Sequence, residues 1–188
     1  MKGRMDLPQM LTALGLTDTM VEVGTYQGTY AKHLLEHWPG HLVCVDAWQH
    51  FPSAHDILNH DQATMDIVYE QCQETLAPYA YRTTIIRALS TQAARLFNAD
   101  GRRFDCVYID ASHDYGNVVA DLVSWWPLVK AGGVFAGHDY LNGTMAGQMP
   151  ADFGVKQAVD EFVADHHLKL NVTTDDPFPT WWVVKETA

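Results

Sequence analysis

Apolar residues follow two different spacings along the chain, and the spacing changes from one segment to the next. Short apolar runs have the length of buried strands, whereas longer segments repeat their apolar residues every three or four positions, as amphipathic helices do. Because the two kinds of segment alternate, we predict an α/β fold with a mostly parallel sheet and helices on both faces. The predicted strands are 21–23, 41–45, 83–87, 104–109 and 134–137, and the helices between and after them are 30–38, 62–76, 90–97, 117–126 and 155–163.

The end of the chain breaks this alternation. Residues 168–173 and 181–184 have strand character with no helix between them, and a turn-rich segment at 175–179 joins them. This pattern predicts an antiparallel hairpin that completes a seven-stranded sheet. No repeat or linker divides the chain, so we expect residues 1–188 to form a single domain.

Three segments lie outside this framework. An amphipathic N-terminal helix within residues 1–17 is expected to cover an edge of the sheet. The irregular stretches 48–61 and 140–153 are long for connections in a compact domain, which favours a role as active-site loops.

Composition narrows the class of protein. Apolar residues make up 47% of the chain and charged residues 19%, which is typical of a globular protein. The formal net charge of −11 speaks against nucleic acid as a partner, since phosphate binding needs a basic surface. No apolar run approaches the roughly 20 residues of a membrane span, and the first residues lack a signal-peptide core. We therefore expect a cytoplasmic protein that binds no membrane; a homo-oligomer is left open.

A glycine-containing segment after the first strand is the strongest local signal. Glu22 ends an apolar run, and Gly24 and Gly28 follow before the next helix begins. Such a strand, loop and helix form a crevice at the carboxyl end of a sheet, where nucleotide-like ligands bind. Asp46 ends the second strand, 22 residues after Gly24, where an acid can hold a ribose diol. The alternative for Asp46 is a cap on the turn that follows.

With these residues, the chain from about residue 18 resembles a class I S-adenosylmethionine-dependent methyltransferase, which implies a Rossmann-like sheet. The segment Glu22–Gly28 is similar to the glycine loop of that family, although Tyr26 replaces its middle glycine. Gly132–Gly133 resembles the glycine pair before the fifth strand, and the closing hairpin is typical of the family. The segments 109–115 and 137–140 are similar to the small methyltransferases of family 24.

The resemblance implies a set of cofactor-binding residues. Glu22 and Gly24 would lie beside the methionine part of S-adenosylmethionine, Asp46 at the ribose, and the residues after the third strand near adenine. Trp48 would form one wall of the adenine slot. The full predicted set is Glu22, Gly24, Thr25, Tyr26, Gly28, Asp46, Ala47, Trp48, Leu89, Ser90 and Asp110.

Candidate catalytic groups follow the fourth and fifth strands. Because neighbouring parallel strands end at the same edge of a sheet, Asp110 should meet His138 and Asp139. Two carboxylates and an imidazole suit a divalent metal, Mg²⁺ or Mn²⁺, and the arrangement is similar to metal-dependent O-methyltransferases. His113 takes the position of a lysine that accepts the substrate proton in the catechol and caffeoyl types. We therefore predict Asp110, His113 and Asp139 as catalytic, and Asp110, His138 and Asp139 as metal ligands.

The expected reaction is O-methylation of a small hydroxylated molecule, with His113 or the metal activating its hydroxyl group. Three alternatives stay open: a metal-independent N- or O-methyltransferase, a nicotinamide-dependent oxidoreductase, and a noncatalytic S-adenosylmethionine-binding subunit. The closing hairpin counts against the oxidoreductase, and the predicted cluster around Asp110 and His113 counts against the noncatalytic subunit. The identity of the acceptor does not follow from the sequence.

Overall fold

The computed structural model describes residues 1–52, 58–144 and 152–186. Its strands are β1 (Thr19–Val23), β2 (His41–Asp46), β3 (Thr83–Arg87), β4 (Phe104–Ile109), β5 (Val129–Gly137), β6 (Gly143–Thr144), β7 (Asp152–Phe153), β8 (Asn171–Val172) and β9 (Trp181–Val184). Its α-helices are α1 (Leu7–Ala13), α2 (Thr29–His37), α3 (Gln62–Leu76), α4 (Ser90–Ala99), α5 (Tyr115–Trp125) and α6 (Val155–Asp165). None of the helices in these ranges is long and apolar enough to cross a bilayer.

Seven strands form one sheet in the order β3, β2, β1, β4, β5, β9 and β8. The first five of these run parallel, and β9 pairs antiparallel with both β5 and β8. The predicted α/β fold with a mostly parallel sheet and a C-terminal antiparallel hairpin is therefore confirmed. The hairpin is shorter than predicted, because β8 covers only Asn171–Val172 of the expected 168–173.

Each face of the sheet carries one hydrophobic core. On one face, α4, α5 and α6 pack over alternate residues of the central strands, with Phe135 and Trp181 among the buried side chains. On the other face, α1, α2 and α3 cover the remaining strand residues. The division follows from the strand geometry, since successive side chains point to opposite faces. Helices on both faces are thus confirmed.

The N-terminal helix does not lie where the sequence analysis predicts, at an edge of the sheet. Leu7 and Leu11 of α1 are fully buried in the core that also contains Tyr30 and Leu34 of α2 and residues of β1 and β4. The helix therefore covers a face of the sheet and not an edge, because its apolar stripe fits beside α2. A short 3₁₀ turn, Arg4–Asp6, precedes it and brings the first residues to the carboxyl edge of β4.

The two predicted active-site loops fall partly outside the described residues, which exclude 53–57 and 145–151. The flanks of the second loop pair as β6 and β7, with Gly143 opposite Phe153 and Thr144 opposite Asp152. This pairing closes the base of the loop, and Gly154 N then donates to His113 O at 2.8 Å. The base of the loop is therefore tied to the segment that follows β4.

Three free thiols lie inside the core on the α2 and α3 side of the sheet. Cys44 is in β2, Cys72 in α3 and Cys106 in β4, and all three are fully buried. Burial raises the pKa of Cys72 to about 12, and it also raises the pKa of Cys44 and Cys106. The prediction of reduced core cysteines is consistent with these positions.

Candidate active site

The glycine loop packs directly against the end of β4. Gly24 has φ +88°, and a Cβ atom on it would lie 2.5 Å from the carbonyl carbon of Asp110 and 2.7 Å from Ala111 Cα. Only glycine fits a left-handed conformation this close to another backbone. The absence of a side chain at position 24 therefore lets the cofactor loop and the predicted catalytic segment share one edge of the sheet.

Asp46 organises the same loop from β2. Its Oδ2 accepts hydrogen bonds from Thr25 N at 3.0 Å and Tyr26 N at 2.9 Å, and its Oδ1 accepts one from Trp48 N at 3.0 Å. The carboxylate thus caps two turns, which was the alternative reading of this residue. Its binding to a ribose diol stays a prediction.

Two non-glycine residues of this edge adopt left-handed backbone conformations. Tyr26, which the resemblance aligns with a middle glycine, has φ +50°, a conformation that glycine adopts more readily than tyrosine. Trp48 has φ +42°, and its indole turns inward to pack on Tyr69 and donates from Nε1 to Tyr26 O at 2.8 Å. Trp48 is fully buried, so the predicted adenine wall is not observed at this side chain.

Glu22 is a buried acid at the carboxyl end of β1. Its side chain is 1% exposed, and burial together with the charges of Asp110 and Asp46 raises its pKa to about 8, against the opposing effects of Thr25 and Arg4. Its Oε2 atom has no hydrogen-bond partner among the described residues. A buried carboxyl oxygen without a partner is costly unless a ligand satisfies it.

The second half of the site is a cluster of acids and imidazoles after β4 and β5. Asp110 follows β4, and Asp139 follows β5 with φ +55°, a conformation that asparagine and aspartate tolerate better than most residues. His113 Nε2 lies 3.0 Å from Asp139 Oδ2, and the His113 ring lies 4.8 Å from the Phe153 ring. The structure therefore brings together all three predicted catalytic residues.

The two carboxyls of this cluster have opposite pKa shifts. Burial raises the pKa of Asp110 to about 6, with Asp139 adding to the shift and His138 and Arg4 opposing it. Burial would also raise the pKa of Asp139, but hydrogen bonds from His113 and His138 outweigh it and hold that pKa far below its ordinary value. Asp139 is therefore the permanent anion that can orient His113.

The predicted metal site of Asp110, His138 and Asp139 stays a prediction, and the structure places His113 beside the same two carboxylates. Candidate ligand atoms of Asp110, His113 and Asp139 all lie within 4.8 Å of one another, and His138 does not belong to this group. His138 Nδ1 lies 3.3 Å from Asp139 Oδ1 and 3.8 Å from Asp110 Oδ1, and its Nε2 atom lies 3.8 Å from Asp176 Oδ2. The loop after β4 folds back over Asp139, so His113 joins the group whose candidate ligand atoms all lie within 4.8 Å.

Arg4 is a site residue that the sequence analysis missed. Its Nη1 lies 3.2 Å from Asp110 Oδ2, and its guanidinium lies 4.8 Å over the Tyr30 ring. The contact joins residues 106 positions apart in the chain. An arginine before an amphipathic helix carries no sequence signal for such a contact.

The predicted adenine residues lie at the start of α4. Leu89 is its N-cap residue, and Ser90 donates its hydroxyl proton to Asp121 and accepts a hydrogen bond from Trp125 Nε1 at 2.8 Å. Burial raises the pKa of Asp121 to about 6, against the effect of the Ser90 hydrogen bond. The Ser90 hydroxyl is thus engaged between α4 and α5, while Ala47 and Leu89 are partly exposed at the edge.

Known proteins resemble this chain in sequence pattern and in fold. A family model described as a methyltransferase domain, number 24 of that name, matches residues 21–140. No curated protein sequence matches the chain.

Solved structures share the fold at low sequence identity. An O-methyltransferase family protein from Burkholderia thailandensis is 13% identical, with a TM-score of 0.69 over 98% of this chain and 55% of that one. The O-methyltransferase from Bacillus cereus, solved in complex with SAH, is 16% identical, with a TM-score of 0.67 over 96% and 80%. The N-methyltransferase NodS from Bradyrhizobium japonicum is 10% identical, with a TM-score of 0.65 over 98% and 95%. The chain thus spans about half the length of the Burkholderia protein.

Proposed function

The chain belongs to the methyltransferase domain family and is an S-adenosylmethionine-dependent methyltransferase. We propose that it methylates a hydroxyl group of a small acceptor. The observation that carries the proposal is the His113–Asp139 pair, with Nε2 and Oδ2 3.0 Å apart. The pair stands at the sheet edge where Gly24 touches Asp110, so it lies next to the cofactor loop.

The choice of oxygen as the acceptor atom rests on proton chemistry. A neutral amine can attack a sulfonium methyl through its lone pair, whereas a hydroxyl group needs a base to become a good nucleophile. His113 takes the hydroxyl proton, and the Asp139 carboxylate, 3.0 Å from its Nε2 atom, stabilises the imidazolium that forms. The acceptor oxygen then forms a bond to the methyl carbon, the sulfur–methyl bond breaks, and S-adenosylhomocysteine leaves.

The surroundings of the pair favour an apolar or aromatic acceptor. A small cleft beside His113 and Asp139 is lined by the apolar residues Val118, Val155 and Trp181 and by the polar residues Asp110, Ser112 and His138. Phe153 adds an aromatic ring 4.8 Å from the His113 ring. The net charge of −11 is unfavourable for a nucleic-acid acceptor.

A divalent metal is a second candidate for activating the hydroxyl group. Asp110, His113 and Asp139 would hold it, and two carboxylates with one imidazole suit Mn²⁺ better than Mg²⁺. When bound, such an ion would lower the pKa of the acceptor hydroxyl. His113 would then be a ligand and not the base.

The test is a product assay over a panel of catechols, phenols and sugars, with S-adenosylhomocysteine formation measured by mass spectrometry. We expect His113→Ala to lose about 100-fold or more in turnover while binding S-adenosylhomocysteine as the wild type does. His37→Asn, on the exposed face of α2, is the matched control and should be fully active. Full activity of His113→Ala would remove the proposed base.

Chelation separates the two ways of activating the hydroxyl group. Turnover that survives exhaustive treatment with EDTA supports proton transfer to His113. Turnover that is lost on chelation and restored by Mn²⁺ supports the metal held by the same three residues.

A further inference from the structure

We infer that Arg4 binds the α-carboxylate of S-adenosylmethionine and of its product. The inference deepens the cofactor site and rests on the cofactor assignment above. It concerns a residue that lies before the matched range 21–140, so the family model has nothing to say about it.

The position of Arg4 is fixed from three sides. Tyr30 Oη donates to Arg4 O at 2.8 Å, which ties the backbone to the first turn of α2. Arg4 N donates to Asp176 Oδ2 at 3.5 Å, which ties it to the turn before β9. The Tyr30 ring then supports the guanidinium from one face at 4.8 Å. The side chain is therefore preorganised above the carboxyl ends of β1 and β4.

The charged side chains around Arg4 complement the charged groups of the cofactor. Asp46 and Asp110 are acids at this edge, and Glu22 is a buried carboxyl group beside them. A sulfonium and an α-ammonium are the cationic groups of the cofactor that such acids suit. The unpartnered, buried Oε2 of Glu22 points independently to a missing donor at this place. The one anionic group of the cofactor, its carboxylate, would be repelled by these acids. Arg4 is the cation that contacts Asp110 at this edge.

The guanidinium can serve this role while keeping its present contact. Arginine carries five N–H donors in a planar fork that matches a carboxylate. Arg4 uses Nη1 on Asp110 Oδ2, and its side chain is still 35% exposed to solvent. An acid and a guanidinium side by side form a receptor for an amino-acid group, which carries both charges on neighbouring atoms.

The experiment is a calorimetric comparison of two ligands that differ only in the carboxylate. One is S-adenosylhomocysteine, and the other is its decarboxylated analogue, which keeps the adenosine, thioether and amine. We expect the wild type to prefer S-adenosylhomocysteine by about 10-fold or more, as for a hydrogen bond between charged groups. In Arg4→Gln this preference should vanish through weaker binding of S-adenosylhomocysteine alone. Arg4→Lys should fall between the two, because it keeps the charge without the fork.

Arg95→Gln is the matched control, since Arg95 lies on the exposed side of α4 and bonds only within its own helix among the described residues. It should bind both ligands as the wild type does. An unchanged preference in Arg4→Gln and Arg4→Lys overturns the inference, as does an equal loss for both ligands, which would mean that Arg4 only supports the fold. If the wild type binds neither ligand, the cofactor assignment fails together with the inference.

Discussion

Replacing Gly24 by alanine tests how closely the cofactor loop and the catalytic segment are packed. The added Cβ would lie 2.5 Å from the Asp110 carbonyl carbon and 2.7 Å from Ala111 Cα, and the residue would keep φ +88°. These neighbours are backbone atoms, so relief requires the end of β4 to move. Gly101 offers a matched control, because it has φ +69° and nothing within 4 Å of its added Cβ.

The two substitutions share one cost and differ in another. The left-handed conformation costs an alanine about 1–2 kcal/mol at either site. Overlap with packed atoms adds about 1–3 kcal/mol, and only Gly24→Ala has that overlap. We therefore expect the free energy of unfolding to fall by about 1 kcal/mol in Gly101→Ala and by about 3 kcal/mol in Gly24→Ala.

Urea denaturation at 25 °C, with and without S-adenosylhomocysteine, measures both effects. Bound ligand stabilises the folded protein according to its concentration relative to the dissociation constant. Gly101→Ala should gain the same stabilisation from the ligand as the wild type, and Gly24→Ala should gain little or none. Equal destabilisation of the two variants, or normal ligand stabilisation of Gly24→Ala, would refute the close packing of this loop against Asp110.

Two further predictions concern buried or partly buried carboxylates. The pKa of Asp121 is raised from an ordinary 3.8 to about 6. Between these pH values the folded protein therefore holds a proton on Asp121 that the unfolded chain has released. Asp121 therefore makes stability fall as pH rises from about 4 to 6, by up to about 3 kcal/mol. Asp121→Asn should flatten urea-derived stability over that range, whereas curves parallel to those of the wild type would contradict it. Asp46→Ala removes the acceptor of three backbone N–H groups and should cost about 2 kcal/mol without any ligand. An unchanged urea midpoint for that variant would mean that water replaces the carboxylate.

The alternating pattern was sufficient to predict the sheet and both of its helical layers. Parallel strands joined by helices have few allowed topologies, so the carboxyl edge and the meeting of Asp110 with Asp139 followed from strand order alone. The remaining features could not be predicted, because the sequence pattern does not fix the backbone conformation of the turns. Trp48, two residues after Asp46, is predicted to form a wall of the adenine slot, but its backbone is left-handed at φ +42° and its indole is buried in the core.

The same limit leaves open which imidazole would bind a metal in the catalytic cluster. His113 and His138 both follow strands, and the sequence does not say which imidazole folds over Asp139. Contacts across long sequence separations set that choice, such as Gly154 N to His113 O and Arg4 to Asp110. These contacts depend on how α1 and the base of the second loop pack, which has no local signature.

The rates at which the three buried thiols are labelled can report how often different parts of this protein open. A thiol is alkylated only when it reaches solvent as the thiolate, and burial withholds Cys44, Cys72 and Cys106 from reagent. Cys44 and Cys106 sit in central strands, so their labelling requires the sheet to come apart. Cys72 lies in α3, and its Sγ atom lies 3.3 Å from the position that a Cβ on Gly28 would take. It therefore becomes exposed whenever α3 separates from the glycine loop. The labelling rate of Cys72, compared with the rates of Cys44 and Cys106, therefore distinguishes local opening at the cofactor loop from global unfolding.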